Sequence, residues 1–225
     1  MNQSNSKRGF TLIELLVVIS IILLASSIIF IGGNSGGGAS LSSSVRIVSG
    51  IAQGARGQAI MKNAETLLII NNDPSDLDKY RRQFGIIYKG TDSTGTEGWI
   101  AATPGTLLPE GIYFDATTSE SESGANWSAT NLPLDYPRKS AQTTGSTEYL
   151  YYEFNSNGTS ANANAYLVLR AATMIPNDQN TEVSQLKVSE EDQGLKAALI
   201  FRRAGTTTPV TSPGAIQASS STEIE

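Results

Sequence analysis

The 225 residues carry 16 Lys and Arg against 21 Asp and Glu, a formal net charge of −5. They include neither His nor Cys, which excludes disulfides, thiolate metal sites, cysteine nucleophiles, a lipid-modified Cys and the histidine-based hydrolase and zinc arrangements. The length fits one short segment plus one domain of roughly 100–150 residues, and the acidic balance argues against a polyanion partner.

Residues 10–31 are apolar or uncharged except for Glu14, the segment's one ionisable side chain. At about 1.5 Å per residue a helix of this length reaches roughly 33 Å, the thickness of a bilayer core. Lys7 and Arg8 stand directly before it, so the positive-inside tendency predicts a cytoplasmic N-terminus and a translocated C-terminal domain. A secretory signal peptide is the plain alternative, with Ala25-Ser26-Ser27 as a loose cleavage site. Against it, the apolar run continues to Ile31, and a carboxylate near the start of an h-region gains nothing. That carboxylate is costly in an apolar span and calls for a cationic partner.

The run Lys7-Arg8-Gly9-Phe10-Thr11-Leu12-Ile13-Glu14-Leu15-Leu16 resembles the processing and assembly motif of type IV pilins and type II secretion pseudopilins. The resemblance implies cleavage between Gly9 and Phe10 by a membrane aspartyl prepilin peptidase, methylation of the new Phe10 amine, and pairing of Glu14 with the N-terminal amine of an adjoining subunit. It further implies partners of three kinds: other pilin or pseudopilin subunits, the peptidase, and an inner-membrane assembly platform. Loss of residues 1–9 leaves 14 basic against 21 acidic residues, a net charge of −7. The implied location is the bacterial inner membrane, with a periplasmic domain built into a filament.

Five glycines among residues 32–38 predict a break in the helix, either a plain linker or a functional hinge, across 32–40. Helical periodicity resumes after Ser40, with Leu41, Val45, Val48, Ala52, Ala55 and Ala59 on one face that should cover a sheet. Gly50, Gly54 and Gly57 lie beside this stripe and read as local packing or as places for a neighbouring subunit to approach. Strands are expected over Thr66–Asn71, Gln83–Tyr88, Trp99–Ala102, Gly111–Phe114, Tyr149–Phe154, Ala165–Arg170 and Ala197–Arg202. The expected class is α+β: an N-terminal transmembrane helix (10–31), a Gly-rich break, and a second helix packed on a mostly antiparallel sheet within a domain spanning 41–205. The Ser-, Thr- and Gly-rich stretches Thr117–Thr147 and Thr206–Glu225 are expected to be mobile, the second as a tail over 206–225.

Three later features resemble the minor pseudopilins called H and the pilus subunits called fimbrial T. They are the helical Ile51–Ile60 leading to a strand, Leu108-Pro109-Glu110-Gly111-Ile112, and Tyr152-Glu153-Phe154-Asn155-Ser156-Asn157-Gly158-Thr159. The resemblance implies a structural subunit of a secretion pseudopilus, no cofactor and no catalytic residues. A minor pilin for adhesion or DNA uptake, and a membrane-displayed binding module using the 117–147 stretch, are the alternatives. Glu190-Glu191-Asp192 reads as a solvated turn rather than a calcium site. The Asn126-Trp127-Ser128 and Asn157-Gly158-Thr159 triplets read as turns rather than glycosylation acceptors. Arg202-Arg203 faintly resembles a basic DNA-uptake element, but two adjacent arginines in an acidic chain contact few phosphates.

Mass analysis of protein made in a host with prepilin peptidase should find a mature chain starting at a methylated Phe10. A start at Met1 or near Ser26 would contradict the motif.

Overall fold

A computed structural model describes residues 12–20, 36–175, 185–190, 192–211 and 223–224. The chain divides into two compact units, Met1–Gly36 and Gly37–Glu225. Of the first unit, the described residues are one helix, α1, over residues 12–20, and Gly36.

Helix α2 (Gly36–Lys62) opens the second unit and begins five residues before Leu41, the first residue of the expected stripe. The break expected over 32–40 therefore does not extend through Gly36–Gly38, which are helical, while residues 32–35 lie outside the described residues. Close packing explains a glycine at this helix start, because a Cβ on Gly37 would stand 2.9 Å from Leu195 Cδ1. The predicted stripe is the buried face: Leu41 and Val45 are 7% and 5% exposed, and Val48, Ala52, Ala55 and Ala59 are fully buried. At the other end, Asn63 takes a left-handed φ of 48°. Asn63 N–H donates to Ile60 O and Ala64 N–H to Ala59 O, the paired bonds that satisfy the last carbonyls of a helix. Gly50, Gly54 and Gly57 are exposed, and of the three only Gly54 has a neighbour at its missing Cβ, Ile86 at 3.2 Å.

The strands follow in chain order as β1 (Thr66–Asn71), β2 (Gln83–Thr91), β3 (Glu97–Ala101), β4 (Thr106–Leu107), β5 (Ile112–Asp115), β6 (Leu132–Leu134) and β7 (Thr147–Phe154). After these come β8 (Tyr166–Ala171), β9 (Thr173–Ile175), β10 (Gln185–Lys187), β11 (Lys196–Phe201), β12 (Thr207–Val210) and β13 (Glu223–Ile224). A short helix, α3 (Ala116–Ser123), continues into a 3-10 turn, Gly124–Asn126. The α+β class holds, and among the described residues every strand pairing is antiparallel. The described strands form three sheets rather than one. The first has the order β3-β2-β1-β7-β6 with β4 on β2, the second β12-β11-β8-β5, and the third β13-β10-β9.

The face of α2 is buried against the first two sheets at once. Its stripe shares one core with Leu68, Ile70, Phe84, Ile86, Tyr152 and Phe154 of the first sheet, and with Phe114, Leu167, Leu169, Leu199 and Phe201 of the second. Aromatic rings join the two sheets: Tyr152 stacks on Phe201 at 4.6 Å and on Trp127 at 5.0 Å, and Phe114 meets Trp127 edge-on at 5.9 Å. The Tyr152 hydroxyl donates to Tyr166 O at 2.6 Å, and burial holds its pKa well above the ordinary tyrosine value. All six residues of β1 are buried because the sheet is covered on both sides. Leu68 and Ile70 turn to α2, while Leu67 and Ile69 meet Ile87, Leu134 and Tyr149.

The expectation of a mobile loop over Thr117–Thr147 is corrected. This stretch contains most of α3, the buried Trp127 and β6, and it completes one edge of the first sheet and part of one edge of the second. Trp127 Nε1 donates to Tyr151 O at 2.8 Å. Asp115 caps α3, accepting from Thr118 N at 2.9 Å and from Thr118 Oγ1 at 2.7 Å, and it pairs with the buried Arg170 at 3.6 Å. Where β5 ends, α3 takes over the edge of β8: Ser119 Oγ accepts from Val168 N at 2.9 Å and Ser123 Oγ from Tyr166 N at 2.8 Å. The residues that bury this helix are Ala116, Thr118, Ser119 and Ser123, so no apolar period marks it in the sequence. The expected tail is corrected in part, because Thr207–Val210 pairs with β11 and Glu223–Ile224 with β10; residues 212–222 lie outside the described residues.

Residues 138–142 cover the outer edge of β3. Trp99 and Gln142 exchange backbone bonds at 2.7 and 3.1 Å, an approach so close that a Cβ on Gly98 would lie 2.5 Å from Gln142 O. Asp92 holds this cover to the β2–β3 turn: Oδ1 accepts from Thr94 N, Thr94 Oγ1 and Thr96 N, and Oδ2 accepts from Ala141 N.

Two outcomes follow from these contacts. Ser119→Ala leaves the buried Val168 N–H without its acceptor and should lower unfolding free energy by about 1–3 kcal/mol in urea titration. The Thr94 hydroxyl, then its backbone N–H, are the largest causes holding the Asp92 pKa at about 2 instead of 3.8. A depressed carboxylate stabilises fully above its unfolded pKa and loses that contribution as pH falls through its folded one. The Asp92 carboxylate should therefore titrate near pH 2 by NMR, and Asp92→Ala should speed amide exchange at Thr94, Thr96 and Ala141 at neutral pH.

Candidate assembly site

Helix α1 presents Leu12, Ile13, Glu14, Leu15, Leu16, Val17, Val18, Ile19 and Ser20, and all nine are exposed. Exposure of its apolar side chains runs from 82% at Leu12 to 48% at Ile19. A helix that is apolar all round is suited to burial on every side, by lipid or by other helices. Ser20 satisfies its hydroxyl within the helix, donating to Leu16 O at 2.8 Å. Glu14 is the one carboxylate on this surface, with Val17 and Val18 three and four residues further along the same side.

Gly9 and Phe10 lie outside the described residues, as do residues 21–31 of the expected span 10–31. Among the described residues no helix is long and apolar enough to cross a membrane. The structure thus places Glu14 on an apolar helix and leaves the processing pair to the sequence.

In the second unit, the buried charges serve the fold. Asp115, Arg170 and Lys196 are 2%, 5% and 7% exposed, and they lie on neighbouring strands of the second sheet. Burial, and then the facing Arg170, lower the Lys196 pKa. Burial, followed by the neighbouring Glu65 carboxylate, raises that of Glu153, while Glu65 also pairs with Lys89 at 3.8 Å.

The remaining sequence candidates are placed as follows. Glu190 is exposed, Asp192 accepts from Ser189 Oγ at 2.7 Å, and Glu191 lies outside the described residues. Among the described residues no group of three or more Asp or Glu is positioned to hold a metal ion. The Asn157 side chain folds its own turn, accepting from Thr159 N and Oγ1. Arg202 and Arg203 are exposed at the end of β11, with Arg202 Nε donating to Thr208 Oγ1 at 3.0 Å. One feature was missed: Ile60 and Met61 are 51% and 66% exposed at the end of α2. They follow directly on Ala59, the last residue of the stripe, and their position off that stripe was the available signal.

The model of the prokaryotic N-terminal methylation motif matches residues 4–30, which include Lys7 to Leu16 and all of α1. The chain carries a prokaryotic N-terminal methylation motif. That bears out the resemblance to type IV pilin-like proteins at the N-terminus. No curated protein matches the chain. Two solved structures of the minor pseudopilin EpsH from the type II secretion system of Vibrio cholerae are similar to it. One is 16% identical with a TM-score of 0.41, covering 78% of this chain and 97% of its own. The other is 13% identical with a TM-score of 0.40, covering 78% and 96%. At such scores neither likeness carries an assignment to this chain.

Proposed function

We propose that this chain is a minor pseudopilin, a structural subunit of a type II secretion pseudopilus that supports protein secretion. The observation that carries the reading is the methylation motif over residues 4–30, which contains a helix whose apolar surface is exposed on all sides and holds one carboxylate. In this reading residues 1–9 are removed after Gly9 by prepilin peptidase and Phe10 is methylated. The segment 10–31 then sits in the inner membrane with its N-terminus in the cytoplasm, and the second unit stands in the periplasm until the inner-membrane platform adds the subunit to a filament.

Glu14 has a physical task in that scheme. Its carboxylate lies about 6 Å along the helix from Phe10, four residues at ~1.5 Å each. Its charge opposes burial among apolar helices unless a cation meets it, and the Phe10 amine of a neighbouring subunit supplies one. The pairing therefore selects the assembled state over the free subunit in the membrane. Function here is subunit geometry and needs no bond chemistry.

The alternative of a type IV pilus minor pilin, for adhesion or DNA uptake, shares every one of these steps, and the exposed Arg202 and Arg203 are the feature that favours it. The reading as a binding module using residues 117–147 as a free loop loses its ground, since those residues build the core and cover a sheet edge.

Glu14→Leu should leave membrane insertion intact or improved, because an insertion cost is removed. Cleavage after Gly9 should continue, while recovery of the subunit in sheared filaments should fail. Normal incorporation of the variant would refute the pairing and with it the assembly role of Glu14.

A further inference from the structure

Arg81 ties the two larger sheets together through its backbone. Its N–H donates to Asn71 O at the end of β1, and its carbonyl accepts from Phe114 N of β5, both at 2.9 Å. It is held there with a left-handed φ of 57°, a conformation that a residue with a side chain adopts at a cost.

The side chain adds a second cost. Arg81 is 6% exposed, and among the described residues its Nε and Nη1 are buried without a hydrogen-bond acceptor. No carboxylate among the described residues forms an ion pair with it. The Tyr80 ring, 5.2 Å away, offers the cation a π face and no oxygen. The acids of the loop 72–82 have other contacts: Asp76 binds Lys79, and Asp73 accepts from Ser75 N. Asp78 acts with Glu110 on Tyr113, over which Arg82 stands at 5.8 Å. The loop holds three acids (Asp73, Asp76, Asp78) against three bases (Lys79, Arg81, Arg82), so it is no general basic patch. What it offers is one guanidinium whose bonding capacity is unspent.

A buried cation without a partner lowers stability, and here it is added to a strained backbone. Residues kept at such a cost gather at binding sites. A guanidinium matches the planar, two-oxygen geometry of a carboxylate. Since no hydrogen bond has to break, the side chain can turn outward to meet one, a rotamer change of the kind common at interfaces.

We propose that Arg81 receives the carboxylate of an Asp or Glu carried by another subunit of the filament. One guanidinium holds a free small anion at about millimolar strength, so a solute would occupy the site poorly. A carboxylate on a protein surface that is already docked arrives at high effective concentration. Leu107 supplies apolar surface on the adjoining strand, since it pairs with Gln83 of β2 and is 50% exposed. Arginine beside apolar surface is the composition of an interface centre. The proposal rests on the filament reading above and names one contact within it.

The contact can be captured in full-length protein. Arg81→Lys puts an amine in place of the guanidinium, and a water-soluble carbodiimide joins an amine to a carboxylate only where the two touch. Sheared filaments treated in this way should yield an amide from residue 81 to an Asp or Glu of another subunit, read by peptide mass spectrometry and absent from treated subunits dispersed in detergent. Arg81→Met keeps the side-chain bulk and removes the charge. Its urea midpoint in detergent micelles should equal or exceed that of the unaltered chain, while its recovery in sheared filaments should fall about tenfold. A link from residue 81 only to acids of its own chain, filaments that form with no link, a lowered urea midpoint for Arg81→Met, or normal filament recovery of that variant would each overturn the contact and leave the filament reading standing. Failure of the unaltered chain to enter filaments would overturn the filament reading, and this contact with it.

Discussion

One packing constraint organises the second unit: a single helix face must serve two sheets. The face of α2 narrows from Leu41, Val45 and Val48 to Ala52, Ala55 and Ala59, and small side chains let strands approach the helix backbone closely. The large residues come instead from the sheets, with Phe114, Tyr152, Phe154 and Phe201 filling the space that the alanines leave. Enlarging an alanine would push on both sheets, and overpacking a filled core costs about 1–3 kcal/mol. The aromatic column with Tyr152 in its middle, stacked between Trp127 and Phe201, is the counterpart of this small face.

The same constraint explains what could be read in the residues. Leu41 to Ala59 has one wet and one dry side, so its period is visible, and each stripe residue is buried as expected. The seven expected strands all exist, because each places β-branched and aromatic residues between turn signals, and β1 matches to the residue at Thr66–Asn71. What escaped notice is structure held by hydrogen bonds. Helix α3 is buried through Thr118, Ser119 and Ser123, and the strand Thr207–Val210 has two threonines and a proline where an apolar alternation would be the signal. Low hydropathy there marks polar groups that bond to backbone, which composition alone reads as mobility. The division into three sheets was equally hidden, since strand runs do not state their partners.

The candidate site divides along the same line. The motif from Lys7 to Leu16 is legible because a methylation motif is written in residue type and spacing along one short stretch of chain. The structure adds that all nine residues of α1 are exposed. The surface of the second unit was less legible: Ile60 and Met61 are exposed because they lie off the stripe that α2 buries against the sheets.

The covering of the strand edges has its own consequence. Residues 138–142 occupy the side of β3, α3 completes the edge of β8, and the outermost strands β6 and β12 carry Pro133 and Pro209, which offer no N–H. Backbone pairing between molecules, which is blind to identity and hard to reverse, is thereby discouraged at these edges. Recognition is handed to side chains, whose contacts can be specific and can be undone. A protein blocked in this way can be held at high local concentration without its sheets fusing, and what joins it to a neighbour can be retuned by surface substitutions that leave its core untouched.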